Sequence, residues 1–153
     1  MLFLLFRLDE NRFAFDAGGI VGVLPLVAIT PIPQTPPCVA GLINYRGAPV
    51  PTIDLSLLAL QRPAQRRLST RIVLIDYLDG RSGCRVLGLI AEKAIETMRA
   101  APGDFSLSGV SNAVTPYLGP VLVDAHGLVQ WVDPQAMLPP ALRDMLFREA
   151  VAE

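Results

Sequence analysis

Along most of its length the chain alternates short apolar runs with breaks that carry glycine, proline or polar residues. The runs are roughly four to eight residues long, the length and spacing of strands in an all-β domain. Leu2–Leu8 and Arg12–Asp16 read as two strands joined by the polar turn Asp9-Glu10-Asn11. Ile20–Leu24 is a further short strand, followed by a proline-rich passage from Pro25 to Pro37. Val39–Tyr45 and Ala48–Leu55 flank the turn Arg46-Gly47. Pro49 and Pro51 have no N–H to donate to a ladder, so the second of these strands is expected at an edge or broken.

Leu55–Leu60 has room for one or two helical turns before the polar stretch Gln61–Thr70. The clearest hairpin joins Arg71–Leu78 to Cys84–Ala91 through Asp79-Gly80-Arg81-Ser82-Gly83. Ala94–Arg99 adds a strand, Ala100–Thr115 reads as a long loop, and Gly119–Val123 pairs with Leu128–Val132 across Asp124-Ala125-His126-Gly127. Helix is expected mainly at the end. Asp133-Pro134 is an N-cap with proline at the first helical position, opening a short helix over Pro134–Leu138. From Pro140 to Ala150, Leu142, Met145, Leu146 and Ala150 recur at helical spacing. No internal repeat is evident in the residues.

Composition narrows the class. The 153 residues suit one domain, residues 1–153, with at most two closely packed lobes. Charged residues are 18%, against about 25% in an average soluble domain, which points to more buried or partner-covered surface. A net charge of −1 argues against a nucleic-acid partner, which demands an excess of Lys and Arg. Cys38 and Cys84 have neither metal-ligand nor disulfide-scaffold spacing and read as reduced, buried thiols of a cytoplasmic protein. The apolar opening Met1–Phe6 ends at Arg7, too soon for a signal-peptide core, and no stretch approaches a membrane span.

Chemistry is excluded by the same counting. His126 is the only histidine, in an expected turn, so no multi-histidine metal site exists and no catalytic residue is nominated. Gly18-Gly19-Ile20-Val21-Gly22 lacks the first glycine of a dinucleotide loop, and Pro25 forbids the helix that such a loop must open. The four arginines of Arg62–Arg71 read as a solvated loop. The expectation is a non-enzymatic protein without metal or cofactor.

The most informative segment is Val39-Ala40-Gly41-Leu42-Ile43-Asn44-Tyr45-Arg46-Gly47, followed by Pro51-Thr52-Ile53-Asp54-Leu55. Alternation puts Ile43 and Tyr45 on one face and Leu42, Asn44 and Arg46 on the other. The segment resembles the V-x-G-x-x-N-x-R-G…P-x-x-D-L signature of CheW-like chemotaxis coupling proteins. Phe13–Asp16, Ile72–Ile75, Leu87–Ile90 and Leu128–Leu138 are similar to other parts of that family, in the same order.

The resemblance implies two small five-stranded β-barrel subdomains, intertwined and packed together, with short C-terminal helices. It implies a scaffold that links the cytoplasmic tip of a chemoreceptor to the regulatory domain of a CheA-type histidine kinase. Such a protein would be a cytoplasmic monomer on its own, recruited to receptor arrays without entering the membrane. Asn44, Arg46 and Gly47 correspond to the turn linked with receptor recognition, and Ile20 and Val23 to a strand linked with partner contacts. With Ile43, Tyr45 and Asp54 they make up the expected partner surface. Gly22, Tyr45 and Ala91-Glu92 depart from the family pattern and suggest a specialised coupling protein. Two alternatives stand beside this reading: an accessory scaffold that binds the kinase without the receptor, and a small-ligand-binding β-barrel.

Overall fold

A computed structural model of the chain describes residues 1–78, 84–107 and 115–147. The strands are β1 (Leu2–Leu8), β2 (Asn11–Asp16), β3 (Ile20–Pro25), β4 (Val39–Tyr45), β5 (Ala48–Asp54), β6 (Arg71–Leu78), β7 (Cys84–Arg99), β8 (Leu118–Asp124) and β9 (Gly127–Val132). Two short helices, α1 (Leu55–Leu60) and α2 (Pro140–Leu146), follow β5 and close the described chain.

The strands form two lobes that share β7. In the first, β7 pairs with β1 between Arg99 and Glu92, and the order continues through β2 and β9 to β8. In the second, β7 pairs with β6 between Cys84 and Ala91, β6 with β3, and β7 also with β5, which carries β4. The expected strands Cys84–Ala91 and Ala94–Arg99 are therefore one strand. The polar Glu92-Lys93 between them marks the crossing from one lobe to the other, where Lys93 takes a left-handed φ of 52°. Each lobe is closed by chain beyond its last strand. Thr30 exchanges backbone hydrogen bonds with Leu42, and Ser106 with Val121. Gly41 makes the first closure possible, since a Cβ there would lie 2.1 Å from the Thr30 carbonyl oxygen.

Strand alternation sorts the side chains into three cores. Phe3 and Leu5 of β1 point into the first lobe with Ala14, Phe105 and Val129, where Phe3 meets Trp131 edge-on at 4.9 Å. Ile72 and Leu74 of β6 point into the second lobe with Ile43, Val50 and Ile90. The opposite faces of the same strands, Leu4 and Phe6 or Val73, Ile75 and Tyr77, meet in a third core between the lobes. A strand buried on both faces reads as a continuous apolar run, which accounts for Phe3-Leu4-Leu5-Phe6 and Ile72-Val73-Leu74-Ile75. The helix α2 seals the central core through Leu142, and Phe147 just beyond it stacks on Tyr77 at 5.2 Å. Burial of each such side chain is worth about 1.5–3 kcal/mol.

The two halves of the chain repeat one plan, which the residues alone do not reveal. A hairpin (β1–β2, β6–β7) leads to a strand that pairs with the other half's hairpin, then a closing bridge, then a second hairpin (β4–β5, β8–β9). Hydrogen bonds match as well. Asp54 N donates to Cys38 O as Asp133 N does to Tyr117 O, both at 2.8 Å, and Val39 N donates to Pro36 O as Leu118 N does to Thr115 O. Asp54 caps α1, and Asp133 caps the 3-10 turn Pro134–Ala136, shorter than the expected helix over Pro134–Leu138. Similar hydrogen bonds serve dissimilar sequences, because backbone pairing constrains side chains only where they face a core.

Other expectations need smaller adjustment. β5 is an edge over Ala48–Pro51, where both prolines sit, but gains β7 as a second neighbour over Thr52–Asp54. The expected Ala100–Thr115 loop contains a 3-10 turn at Pro102–Asp104 and the Ser106 bridge; its residues 108–114 lie outside the described chain. So do the hairpin turn at 79–83 and residues 148–150 of the expected last helix.

Two polar anchors yield predictions. Asp54, 7% exposed, accepts hydrogen bonds from the backbone N–H groups of Ser56, Leu57 and Ala64. Asp54→Ala leaves those donors unmet and should destabilise the fold by roughly 2–4 kcal/mol in chemical denaturation; a loss under about 0.5 kcal/mol would show the cap to be dispensable. Arg12 of β2 forks onto Asp124 at the β8–β9 turn and reaches the Gly127 carbonyl at 3.2 Å. The Arg12 guanidinium and then the His126 backbone N–H hold the Asp124 carboxyl at a pKa of about 2, below its ordinary 3.8. A depressed folded-state pKa stabilises above the unfolded value and fades as pH falls through the folded one. Asp124→Asn should therefore flatten the loss of stability between about pH 4 and pH 2. Parallel wild-type and variant curves across that window would refute the link.

Candidate protein-docking surface

The turn between β4 and β5 is built by its own residues. Tyr45 pairs with Ala48, and Arg46 (φ 52°) and Gly47 (φ 83°) both take positive φ, as a two-residue hairpin turn of right-handed twist requires. Asn44 Oδ1 accepts from Gly47 N at 2.9 Å and braces the turn. Arg46 carries out no such bracing. Its guanidinium lies over the Tyr45 ring at 5.2 Å, and it forms no hydrogen bond or ion pair among the described residues. A left-handed φ on a non-glycine residue is uncommon. Here it holds a cation outward on an aromatic base.

Strand β3 stands beside this turn. A Cβ placed on Gly22 would lie 3.9 Å from the Tyr45 hydroxyl oxygen, so the strand and the hairpin meet there. The register between β3 and β6 slips between Ile20 and Gly22, and the exposed row is Val21 (41%), Val23 (40%) and Pro25. Ile20 faces inward and packs on the central core. Alternation along β3 places Val21 on the same outward face as Val23, and Ile20 on the other. A charge introduced at position 22 would enter beside Tyr45 rather than join the Val21–Val23 row.

The remaining expected contact residues are occupied by the fold. Ile43 is 2% exposed in the second lobe's core, and Asp54 is the buried cap of α1. Thus Tyr45, Arg46 and Gly47 share the β4–β5 turn, braced by Asn44, while Val21 and Val23 stand on the outer face of β3, opposite the face on which Gly22 meets Tyr45. Next to this hairpin, a crevice of about 480 Å³ opens between β5 and β7, lined by Tyr45, Pro49, Pro51, Val86 and Phe147. It lies where the prolines leave β5 unzipped from β7.

The other candidates for chemistry have plain structural places. His126 is exposed in the β8–β9 turn, where its backbone N–H donates to Asp124 at 2.8 Å. Cys38 is a free, half-buried thiol whose pKa is pushed up by burial. Among the described residues no group of His, Cys, Asp and Glu is arranged to hold a metal, and no helix is long and apolar enough to cross a membrane. What the described residues leave exposed is an aromatic-backed cation at the β4–β5 turn and a valine row on the outer face of β3.

Known proteins agree with this reading of the fold. The chain is 27% identical over 110 residues to the chemotaxis protein CheW of Thermotoga maritima, covering 71% of this chain and 68% of that one. It is 26% identical over 102 residues to protein FrzA of Myxococcus xanthus, covering 67% and 61%. The scaffolding protein TtCheW of Thermoanaerobacter tengcongensis has the same fold, with a TM-score of 0.77 at 21% identity, over 89% of this chain and 86% of that one. The profile of the CheW-like domain matches residues 2–141, and the chain belongs to that family of chemosensory scaffold proteins, which are not enzymes.

Proposed function

We propose that this protein couples the cytoplasmic tip of a chemoreceptor to the regulatory domain of a CheA-type histidine kinase, acting in the cytoplasm at receptor arrays. The observation that carries the reading is Arg46, held outward on the Tyr45 ring at the β4–β5 turn, with Val21 and Val23 exposed on the outer face of β3. These residues display an unpaired guanidinium and exposed apolar groups in a fold whose other conspicuous polar side chains, Asp54, Asn44 and Asp133, serve turns and caps. On this reading the Arg46 turn meets the receptor, and the outer row of β3 meets the kinase domain. The two lobes act as one domain, because β7 runs through both.

Titration of the purified protein against a receptor-tip fragment and against the kinase regulatory domain tests both halves. Arg46→Ala should weaken receptor binding by about 2 kcal/mol, and change stability by less than about 0.5 kcal/mol, since the side chain is exposed and braces nothing. Val23→Glu should weaken kinase binding instead, with a melting temperature close to wild type. Kinase binding with no affinity for the receptor tip would favour the accessory scaffold over the coupling protein. If neither partner binds, or if Arg46→Ala melts well below wild type, the assignment is wrong.

A further inference from the structure

The segment between α1 and β6 carries Arg62, Arg66 and Arg67 and no acidic residue. It is anchored rather than merely solvated. Asp54 Oδ2 accepts from Ala64 N and Glu92 Oε1 from Gln65 N, each at 3.0 Å. The buried Thr70 hydroxyl accepts from Arg67 N at 3.3 Å and donates to Gln65 O. Ala94 N, just past the crossing in β7, donates to Ser69 O at 3.1 Å. The loop is thereby laid against the end of β1 and against Glu92-Lys93, where β7 passes between the lobes.

A cavity of about 220 Å³ opens there, and the cations that line it come from separate parts of the chain. Arg7 belongs to the end of β1, Lys93 to the crossing, and Arg62 and Arg67 to the loop. The carboxylates of Asp9, Glu10 and Glu92 line it too, but two of them are already engaged. Asp9 pairs with Arg62. Glu92 lies across from Arg7 in the β1–β7 register without forming an ion pair with it; Oε1 accepts from Gln65 N instead, and Oε2 from Ser56 Oγ at 3.3 Å. Arg7, Arg67 and Lys93 are left without an ion pair or side-chain hydrogen bond among the described residues, and the Ser69 hydroxyl without a hydrogen bond. Lys93 also holds a left-handed φ of 52°, for which glycine or asparagine is the ordinary choice. Backbone of this kind on other residues clusters at ligand clamps, among other places.

We propose that this cavity binds a small phosphate-bearing anion, with the diphosphate group as its best match. Planar guanidinium forks suit the paired oxygens of a phosphate, and an ammonium adds a point charge. Cations set on β1, the β7 crossing and the loop call for more oxygens than one carboxylate offers, and two linked phosphates supply them. The loop's hydrogen bonds hold its donors in place before any ligand arrives, so little ordering remains to be done on binding. Like charges gathered at one cavity repel each other, and an anion relieves that repulsion. Binding therefore stabilises the fold, because it ties β1 of the first lobe to the loop that leads into β6 of the second.

Titration with pyrophosphate at constant ionic strength, followed by amide chemical shifts and by melting temperature, tests the site. The expected result is saturable binding with shifts centred on Ser69 and Lys93 and a raised melting temperature, weaker with inorganic phosphate and absent with chloride. Lys93→Gln and Arg67→Gln, both at exposed positions, should each weaken binding about tenfold and leave the unliganded melting temperature close to wild type. Lys93→Arg, which keeps the charge, should retain most of the affinity. Arg66→Gln, in the same loop but outside the cavity lining, should bind as wild type does. Adenosine diphosphate in place of pyrophosphate distinguishes the source: tighter binding assigns a nucleotide, and equal or weaker binding a free diphosphate. Absence of saturable binding overturns the proposal. So does binding undiminished in both Lys93→Gln and Arg67→Gln, or weakened as much by Arg66→Gln, which would be general attraction to a basic loop.

Discussion

The inner hairpins β1–β2 and β6–β7 are buried on both faces, and most of the architecture follows from that demand. A strand with one dry face needs one covering layer, whereas these need two. Each hairpin satisfies its inner face within its own lobe, through Phe3 and Leu5 or Ile72 and Leu74, and its outer face against the other lobe. The lobes consequently cannot separate without exposing Phe6, Phe15, Val73, Leu87 and Leu89 together. Side chains of this kind contribute about 1.5–3 kcal/mol each, so the central core dominates whatever the polar anchors add. Strand β7 completes the arrangement by passing from one lobe to the other without a break in the chain.

Polar groups do a different job here. Asp54, Asp133, Asn44 and Glu92 each accept from backbone N–H groups that strand and helix ends leave unpaired. Arg12 and Asp124 fasten the β8–β9 turn to β2. These side chains hold turns, caps and loops in place, a structural role in a chain of the CheW-like family. Other side chains stay exposed with no such duty, among them Arg46 on its aromatic base and Val21 and Val23 on the outer face of β3.

Strand positions were legible in the residues because apolar runs and turn chemistry agree locally. Tyr45-Arg46-Gly47-Ala48 reads as a hairpin turn before any tertiary contact is known, and the structure bears this out. Cys84–Arg99 was misread as two strands because Glu92-Lys93 interrupts its apolar pattern, although the interruption is the crossing between lobes. Of the expected contact residues, Ile20 and Ile43 face cores, because alternation separates the two faces of a strand without saying which of them the lobe covers. Val21, two residues from Val23, shares its outward face by simple alternation, whereas Ile20, three residues from Val23, falls on the opposite face. A groove of about 570 Å³ lined by Asp16, Tyr117, Pro120 and Trp131 is not legible in the sequence, because it joins the end of β2 to chain near residue 117 and to the turn after β9.

The repeated plan of the two halves explains why their surfaces are free to differ. Closing bridges, caps and hairpin pairings recur because the backbone demands them, and they recur with different side chains, Cys38 for Tyr117 and a helix for a 3-10 turn. Outward positions carry no such demand. The β4–β5 turn displays Arg46 over Tyr45, whereas its counterpart displays Val123 and Leu128, 74% and 60% exposed, above the Arg12–Asp124 pair. A scaffold must hold more than one partner at a fixed separation. A doubled fold with one shared core holds its two turns at a fixed separation while leaving their outward residues free to diverge.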